Sequence, residues 1–165
     1  MKLITSEEKI RLLKQVCELF AKNEIAYLTY GSMAYLLLTN DDKMPIRDID
    51  IIIKEIDFDR LIKLLSESNL FLNPIKTAYS IHANSLVYQG YDGKSFDISI
   101  DSYEHYFQIH EINFDDYQII ELDSIPIKIM KTKNLIESYR VGVRGQNEEK
   151  IEEYKDKIEK LRFSV

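Results

Sequence analysis

Apolar positions fall into a helical rhythm at the start of the chain. Between Thr5 and Asn23, Ile10, Leu13, Val16, Cys17 and Phe20 recur at three and four, which predicts an amphipathic helix with one stripe toward a core. Thr5 and Glu8 have the spacing of a capping box, in which each side chain satisfies a backbone N–H that the helix start leaves free. The rhythm then changes to that of a strand: Ile25 to Tyr30 is short, β-branched or aromatic, and stops at Gly31. Met33 to Leu38 reads as a compact apolar helix, and Asn40 to Pro45 gathers loop residues. Asp48 to Ile53 resumes as a strand whose isoleucines are too continuous for a half-exposed edge, and Asp57 is placed to cap a helix carrying Phe58, Leu61, Ile62 and Leu65.

The second half reads as antiparallel. Asn84 to Gln89 and Ser95 to Ile100 flank Tyr91-Asp92-Gly93-Lys94, and an Asp-Gly pair between two such runs predicts a hairpin because both residues tolerate positive φ. Tyr117 to Leu122 and Ile125 to Met130 form a second hairpin around Asp123-Ser124. Two helices close the chain: Thr132 to Val141, stopping near Gly142, and a last one capped by Asn147 with the stripe Ile151, Tyr154, Ile158 and Leu161. The pattern contains no internal repeat and no low-complexity tract.

Composition narrows the setting. The 165 residues fit one domain over 1–165, with a core at about 5–130 and a helical segment at about 131–165. A single cysteine, Cys17, excludes an internal disulfide and fits a reducing, cytoplasmic compartment. No uncharged apolar run approaches the ~20 residues that span a bilayer, so neither export nor a membrane is expected. With 28 acidic against 22 basic residues the net charge is −6, which argues against broad, non-specific binding to nucleic acid.

Candidate chemistry concentrates in Tyr30-Gly31-Ser32, Arg47-Asp48-Ile49-Asp50 and Phe96-Asp97-Ile98. Residues two apart on a strand face the same side, so Asp48 and Asp50 put two carboxylates on one face, roughly 6.5 to 7 Å apart at Cα. Two like charges at that spacing suit a divalent cation such as Mg²⁺, which prefers hard oxygen ligands and completes its shell with water and substrate phosphates. Asp97, on a later strand, can reach the same site from a neighbouring position and make a three-carboxylate cluster. Gly31-Ser32 lies between a strand and a helix, where free N–H groups and the helix dipole favour a phosphate and the serine adds a donor. A phosphate cradle beside a carboxylate cluster describes phosphoryl or nucleotidyl transfer, in which two ions hold the attacking and leaving oxygens. Neither G-x-x-x-x-G-K-[ST] nor G-x-G-x-x-G is present, so phosphate-loop ATPases and dinucleotide folds are not indicated.

This order of motifs resembles the nucleotidyltransferase superfamily that includes DNA polymerase beta, matched here at Gly31, Ser32, Asp48, Asp50 and Asp97. Within it, the chain looks most like small bacterial enzymes that nucleotidylate lincosamide or aminoglycoside antibiotics, and like nucleotidyltransferases of abortive-infection and toxin–antitoxin pairs. The likeness runs from Thr5 to Leu161 and includes Arg47 before Asp-x-Asp. It departs at Arg144-Gly145-Gln146-Asn147, where toxin-related members often carry Arg-x-Lys-Asp. The resemblance implies an α/β (α+β) fold, with a mixed, largely antiparallel sheet flanked by helices and with C-terminal helices. It also implies Mg²⁺ at Asp48 and Asp50, nucleoside triphosphate at Gly31 and Ser32, and Asp97 aiding deprotonation of an acceptor hydroxyl; two ions, a metal contact from Asp97 and nucleotide contacts from Arg47 and Lys131 complete the expected site. The expected acceptor is a small, antibiotic-like molecule, ahead of RNA (tRNA above all) or protein, with a non-catalytic binding protein as the alternative class; a homodimer sharing its cleft would help enclose the acceptor.

The remaining candidates read more plainly. Lys128, Lys131, Lys133, Arg140 and Arg144 form a basic stretch able to hold triphosphate or RNA, although such residues on helices usually form a solvated face. Tyr30, Tyr35, Tyr88 and Tyr91 are expected to pack in the core rather than stack on a base. His82, His105 and His110 lack zinc spacing, Cys17 belongs to an apolar helix face and is expected to be inert, and Asp101 shares the strand face of Asp97, where it is placed to support it, although a surface position is the expectation.

Overall fold

The isoleucine run of residues 49–53 settles at the centre of a sheet. A computed structural model describes residues 6–44, 46, 48–68, 76–78, 85–89 and 97–164, and for residues 6, 76–78, 85–89, 97 and 109 the backbone alone. The Thr5 cap, Pro45, Arg47, His82 and the Tyr91–Lys94 turn lie outside the described residues. In chain order the elements are α1 (Ser6–Lys22), β1 (Tyr27–Tyr30), α2 (Gly31–Thr39), β2 (Asp48–Ile53), a 3₁₀ turn (Glu55–Asp57), α3 (Phe58–Glu67), β3 (Lys76–Ala78), β4 (Ser85–Gln89), β5 (Asp97–Ser102), α4 (Tyr103–His110), β6 (Tyr117–Leu122), β7 (Ile125–Met130), α5 (Thr132–Gly142) and α6 (Glu148–Phe163).

Among the described residues the strands form one seven-stranded sheet in the order β3-β4-β5-β2-β1-β7-β6. Four of its junctions are antiparallel, and two, β2 with β5 and β1 with β7, are parallel. This is the mixed, largely antiparallel sheet with flanking and C-terminal helices that the sequence leads one to expect. Ile49, Ile51, Ile52 and Ile53 are each at most 1% exposed, and full burial of such a side chain contributes roughly 1.5–3 kcal/mol. That energy fixes β2 as an interior strand, so its aspartates must sit at the strand's entrance. The stripe of α1, Leu13, Val16, Cys17 and Phe20, joins the same core. No described helix is long and apolar enough to cross a membrane.

Local chemistry explains most boundaries. The β6–β7 turn carries Asp123 at φ 50° and Ser124 at φ 68°, the positive pair that matches hairpin twist. Asn147 caps α6 by accepting from the Lys150 N–H at 2.9 Å. Asp57 corrects an expectation: it stands before α3 in a helical conformation, and its side chain makes no cap hydrogen bond because the 3₁₀ turn already leads into the helix. Three elements go beyond the sequence reading, the 3₁₀ turn, the three-residue β3 and helix α4, whose start Ser102 caps by accepting from the His105 N–H at 3.2 Å.

Candidate active site

Register brings the separate motifs to one end of the sheet. Tyr30 pairs with Asp50 across the antiparallel β1–β2 junction, and Asp48 pairs with Asp97 across the parallel β2–β5 junction. Thr29 lies against Ile129 in the parallel β1–β7 junction, so Gly31 and Lys131, each two residues further, leave the sheet at that same end. Gly31, Ser32, Asp48, Asp50, Asp97 and Lys131 therefore stand together by topology, while Arg47 falls outside the described residues.

Gly31 is dictated by contact as well as conformation. It opens α2 at φ +66°, and a Cβ there would lie 2.9 Å from Asp50 Cγ and 3.1 Å from Asp50 Cβ. Only a residue without a side chain lets the backbone of the helix start rest on the Asp50 carboxylate. That carboxylate is held well above its ordinary pKa by burial first, then by Asp48 and Asp101, with Lys157 and Lys150 acting in opposition. Burial and the neighbouring carboxylates thus both oppose a negative charge on Asp50. Asp48 and Asp50 offer only hard oxygen donors, the set suited to Mg²⁺, and a divalent cation would relieve this repulsion. Among the described residues no group of three or more His, Cys, Asp or Glu forms a ready cage; an ion here would draw its other ligands from water and phosphate, as Mg²⁺ commonly does.

Asp101 overturns an expectation. Expected at the surface, it is 2% exposed, because β5 is an interior strand; the Tyr30 hydroxyl reaches across and donates to its Oδ2. Burial, then Asp101 and Asp50, keep the Tyr30 phenol protonated far above its usual range, so it remains a donor. Tyr106 packs edge-on against Tyr30 at 5.0 Å and shares a 2.8 Å hydrogen bond with Ser138, joining this buried polar layer to α5. On the outer side, Lys9 of α1 donates to the Ile46 carbonyl and lies in the field of Asp48.

The sequence reading missed Lys157. Its side chain is 1% exposed, yet its ammonium pairs with Glu153 at 3.0 Å and donates to Ser32 Oγ at 3.1 Å. The rings of Tyr139, Tyr35 and Tyr154 surround it at 5.3, 5.6 and 6.0 Å. Burial lowers its pKa, against the pull of Glu153 and Asp50. A signal existed: position 157 is three residues after Tyr154 and four before Leu161, on the apolar stripe of α6.

Other candidates occupy plainer places. The Lys131 ammonium is held by Asp116 at 2.5 Å, and Lys133 reaches the same carboxylate at 3.4 Å. Lys128 lies over the Tyr117 ring at 5.0 Å, and Arg140 pairs with Glu137. Tyr30 and Tyr35 are buried as expected, whereas the side chains of Tyr88 and Tyr91 are outside the description. Cys17 is buried, which pushes its thiol up to about 12 and fits an inert role. His110 stacks on Tyr106 at 4.2 Å.

The mixed sheet with its flanking and C-terminal helices is the fold of several solved nucleotidyltransferase-like proteins. An antigenic nucleotidyltransferase-like protein from Paracoccidioides brasiliensis is similar over 96% of this chain and 77% of its own, with a TM-score of 0.73 and 13% identity. The antibiotic-resistance factor ANT(2'')-Ia is similar over 97% of this chain and 92% of its own, with a TM-score of 0.63 and 12% identity. Lincomycin-bound LnuA, a lincosamide antibiotic adenylyltransferase, is similar over 94% and 97%, with a TM-score of 0.64 and 13% identity. No protein-family model matches the sequence, and no curated protein does. The relationship is one of fold.

Proposed function

We propose that the protein is a nucleotidyltransferase that moves a nucleoside monophosphate from a nucleoside triphosphate to a hydroxyl of a small-molecule acceptor, releasing pyrophosphate. The observation that carries this reading is the parallel β2–β5 register, which sets Asp97 against Asp48 while Asp50 lies beneath the Gly31 helix start. The N–H groups at the start of α2 and the Ser32 hydroxyl bind the phosphates. Asp48 and Asp50, with Asp97, would hold Mg²⁺, which when bound screens the triphosphate and stabilises charge on the attacking and leaving oxygens. Asp97 takes the proton of the acceptor hydroxyl as its oxygen bonds to the α-phosphorus and the bond to the β-phosphate oxygen breaks. The small-molecule acceptor is supported by the antibiotic enzymes among the structural neighbours.

The test incubates the protein with Mg²⁺, each labelled nucleoside triphosphate and a panel of acceptors, and follows mass shifts on small molecules, RNA and the protein itself. A nucleotide adduct on a small molecule is expected. Labelled tRNA or protein would reassign the acceptor. Calorimetry adds a control: Asp48→Asn/Asp50→Asn should abolish the Mg²⁺-dependent part of nucleotide binding. Equal binding by wild type and double variant, in Mg²⁺ and in chelator, would remove the metal assignment.

A further inference from the structure

We propose that Lys157, reaching in from the last helix, is a positioning residue that commits the Ser32 hydroxyl to donating toward a phosphate. An ammonium has three donors and no acceptor, whereas a hydroxyl has one donor and can accept through its lone pairs. Because Lys157 Nζ donates to Ser32 Oγ at 3.1 Å, the Ser32 proton must point to some other acceptor. That turns an ambiguous hydroxyl into a directed donor, and an anion is its natural partner at a helix start. The ammonium also strengthens that donor by polarising it, as charge-assisted hydrogen bonds do.

The surroundings hold the lysine in this role. Glu153 grips the ammonium from one turn earlier on α6, and the faces of Tyr35, Tyr139 and Tyr154 wall it from water. A buried lysine is costly unless paired, and here both hydrogen bonds have fixed directions, so the side chain is pre-set before any ligand arrives. Since α2 packs against α6, the same contact makes the phosphate cradle depend on a helix more than a hundred residues away in the chain. No motif near Gly31 or Asp48 contains this information.

The inference rests on the nucleotide-transfer reading, and one experiment separates the two. Nucleotide affinity in Mg²⁺ is measured by calorimetry for wild type, Lys157→Met, Ser32→Ala and the double variant, with thermal melting of each as a check on folding. Lys157→Met is expected to weaken binding about ten- to hundredfold, the usual worth of a charge-assisted hydrogen bond. Ser32→Ala should weaken it comparably, and the double variant should be little worse than either single one, because the lysine acts through the serine. Lys157→Arg, which keeps the charge, should recover part of the loss. Should Lys157→Met lose the fold, Glu153→Gln releases the ammonium from its anchor, and a loss that disappears in the Ser32→Ala background gives the same answer. Additive losses, or a Lys157→Met variant that melts earlier yet binds as wild type does, overturn this role and leave the parent reading intact. A well-folded wild type without any affinity for nucleoside triphosphates overturns both.

Discussion

Replacing Gly31 by alanine adds one carbon at the point where the helix start meets the Asp50 carboxylate. Two costs follow. At φ +66° an L-residue gives up roughly 1–2 kcal/mol relative to glycine, and the new Cβ would sit 2.9 Å from Asp50 Cγ, against a packed neighbour, where overpacking costs typically about 1–3 kcal/mol. The sum is about 3 kcal/mol, which for a chain of this size lowers the melting temperature by ~10 °C. The two parts can be separated. Asp50→Ala removes Cγ and both carboxylate oxygens, so in that background Gly31→Ala keeps the backbone cost and loses most of the crowding. A double-mutant cycle by thermal and chemical denaturation should therefore show a coupling of about 1–2 kcal/mol. If Gly31→Ala lies within about 0.5 kcal/mol of wild type, the range of an ordinary surface change, the close approach does not exist. If its cost is the same with and without the Asp50 side chain, the strain lies in the backbone alone.

Two further outcomes are expected. Asp97→Asn should lower turnover by about 10²–10⁴, the range of a lost general base, with nucleotide affinity nearly intact where Asp97 acts chiefly as the base; weakened Mg²⁺-dependent binding, partly recovered by excess Mg²⁺, would make it chiefly a metal ligand, and unchanged turnover in single-turnover kinetics would take it out of the reaction. Asp116 has its pKa lowered to about 2, first by the hydrogen bond from Lys131 and then by that from Asn134, so its contribution to stability is present above pH 3.8 and is lost as pH falls through about 2. Denaturation of wild type and Asp116→Asn over a pH series should show curves that converge on acidification, and a gap that stays constant with pH would contradict the pairing.

The elements that sequence alone disclosed are those whose signals are local. The isoleucines of β2 mark a buried strand, Gly31-Ser32 marks the passage from a strand to a helix, and Asp123-Ser124 carries its turn chemistry in two residues. Helix α4 escaped because Tyr103, Tyr106 and Phe107 are strand-prone aromatics directly after a strand, and the Ser102 cap that redirects the chain is one hydroxyl. An aspartate is normally solvated, but Asp101 stands opposite Ile52 on the interior strand β5, where the Tyr30 hydroxyl, seventy-one residues away in the chain, gives it a partner in place of water. Lys157 was hidden for the same reason: a lysine on an acidic helix reads as surface until Ser32, Glu153 and three tyrosines are seen around it. Asp48, Asp50 and Asp97 are thus legible as a motif, while Asp101 and Lys157 join them only through tertiary contact.

The two parallel junctions have a consequence for the route by which the protein reaches its native state. Neighbouring antiparallel strands can meet across a short turn, but Asp48 finds Asp97, Thr29 finds Ile129 and Ser32 finds Lys157 only after loops of roughly fifty to 125 residues have closed. Closing such loops loses chain entropy before any contact returns it, and chains dominated by distant pairings fold in milliseconds to seconds rather than microseconds. The hairpins can form early and on their own. Asp48 and Asp50 are neighbours from the start on one strand, whereas Asp97 and the ammonium of Lys157 join them only through these long closures.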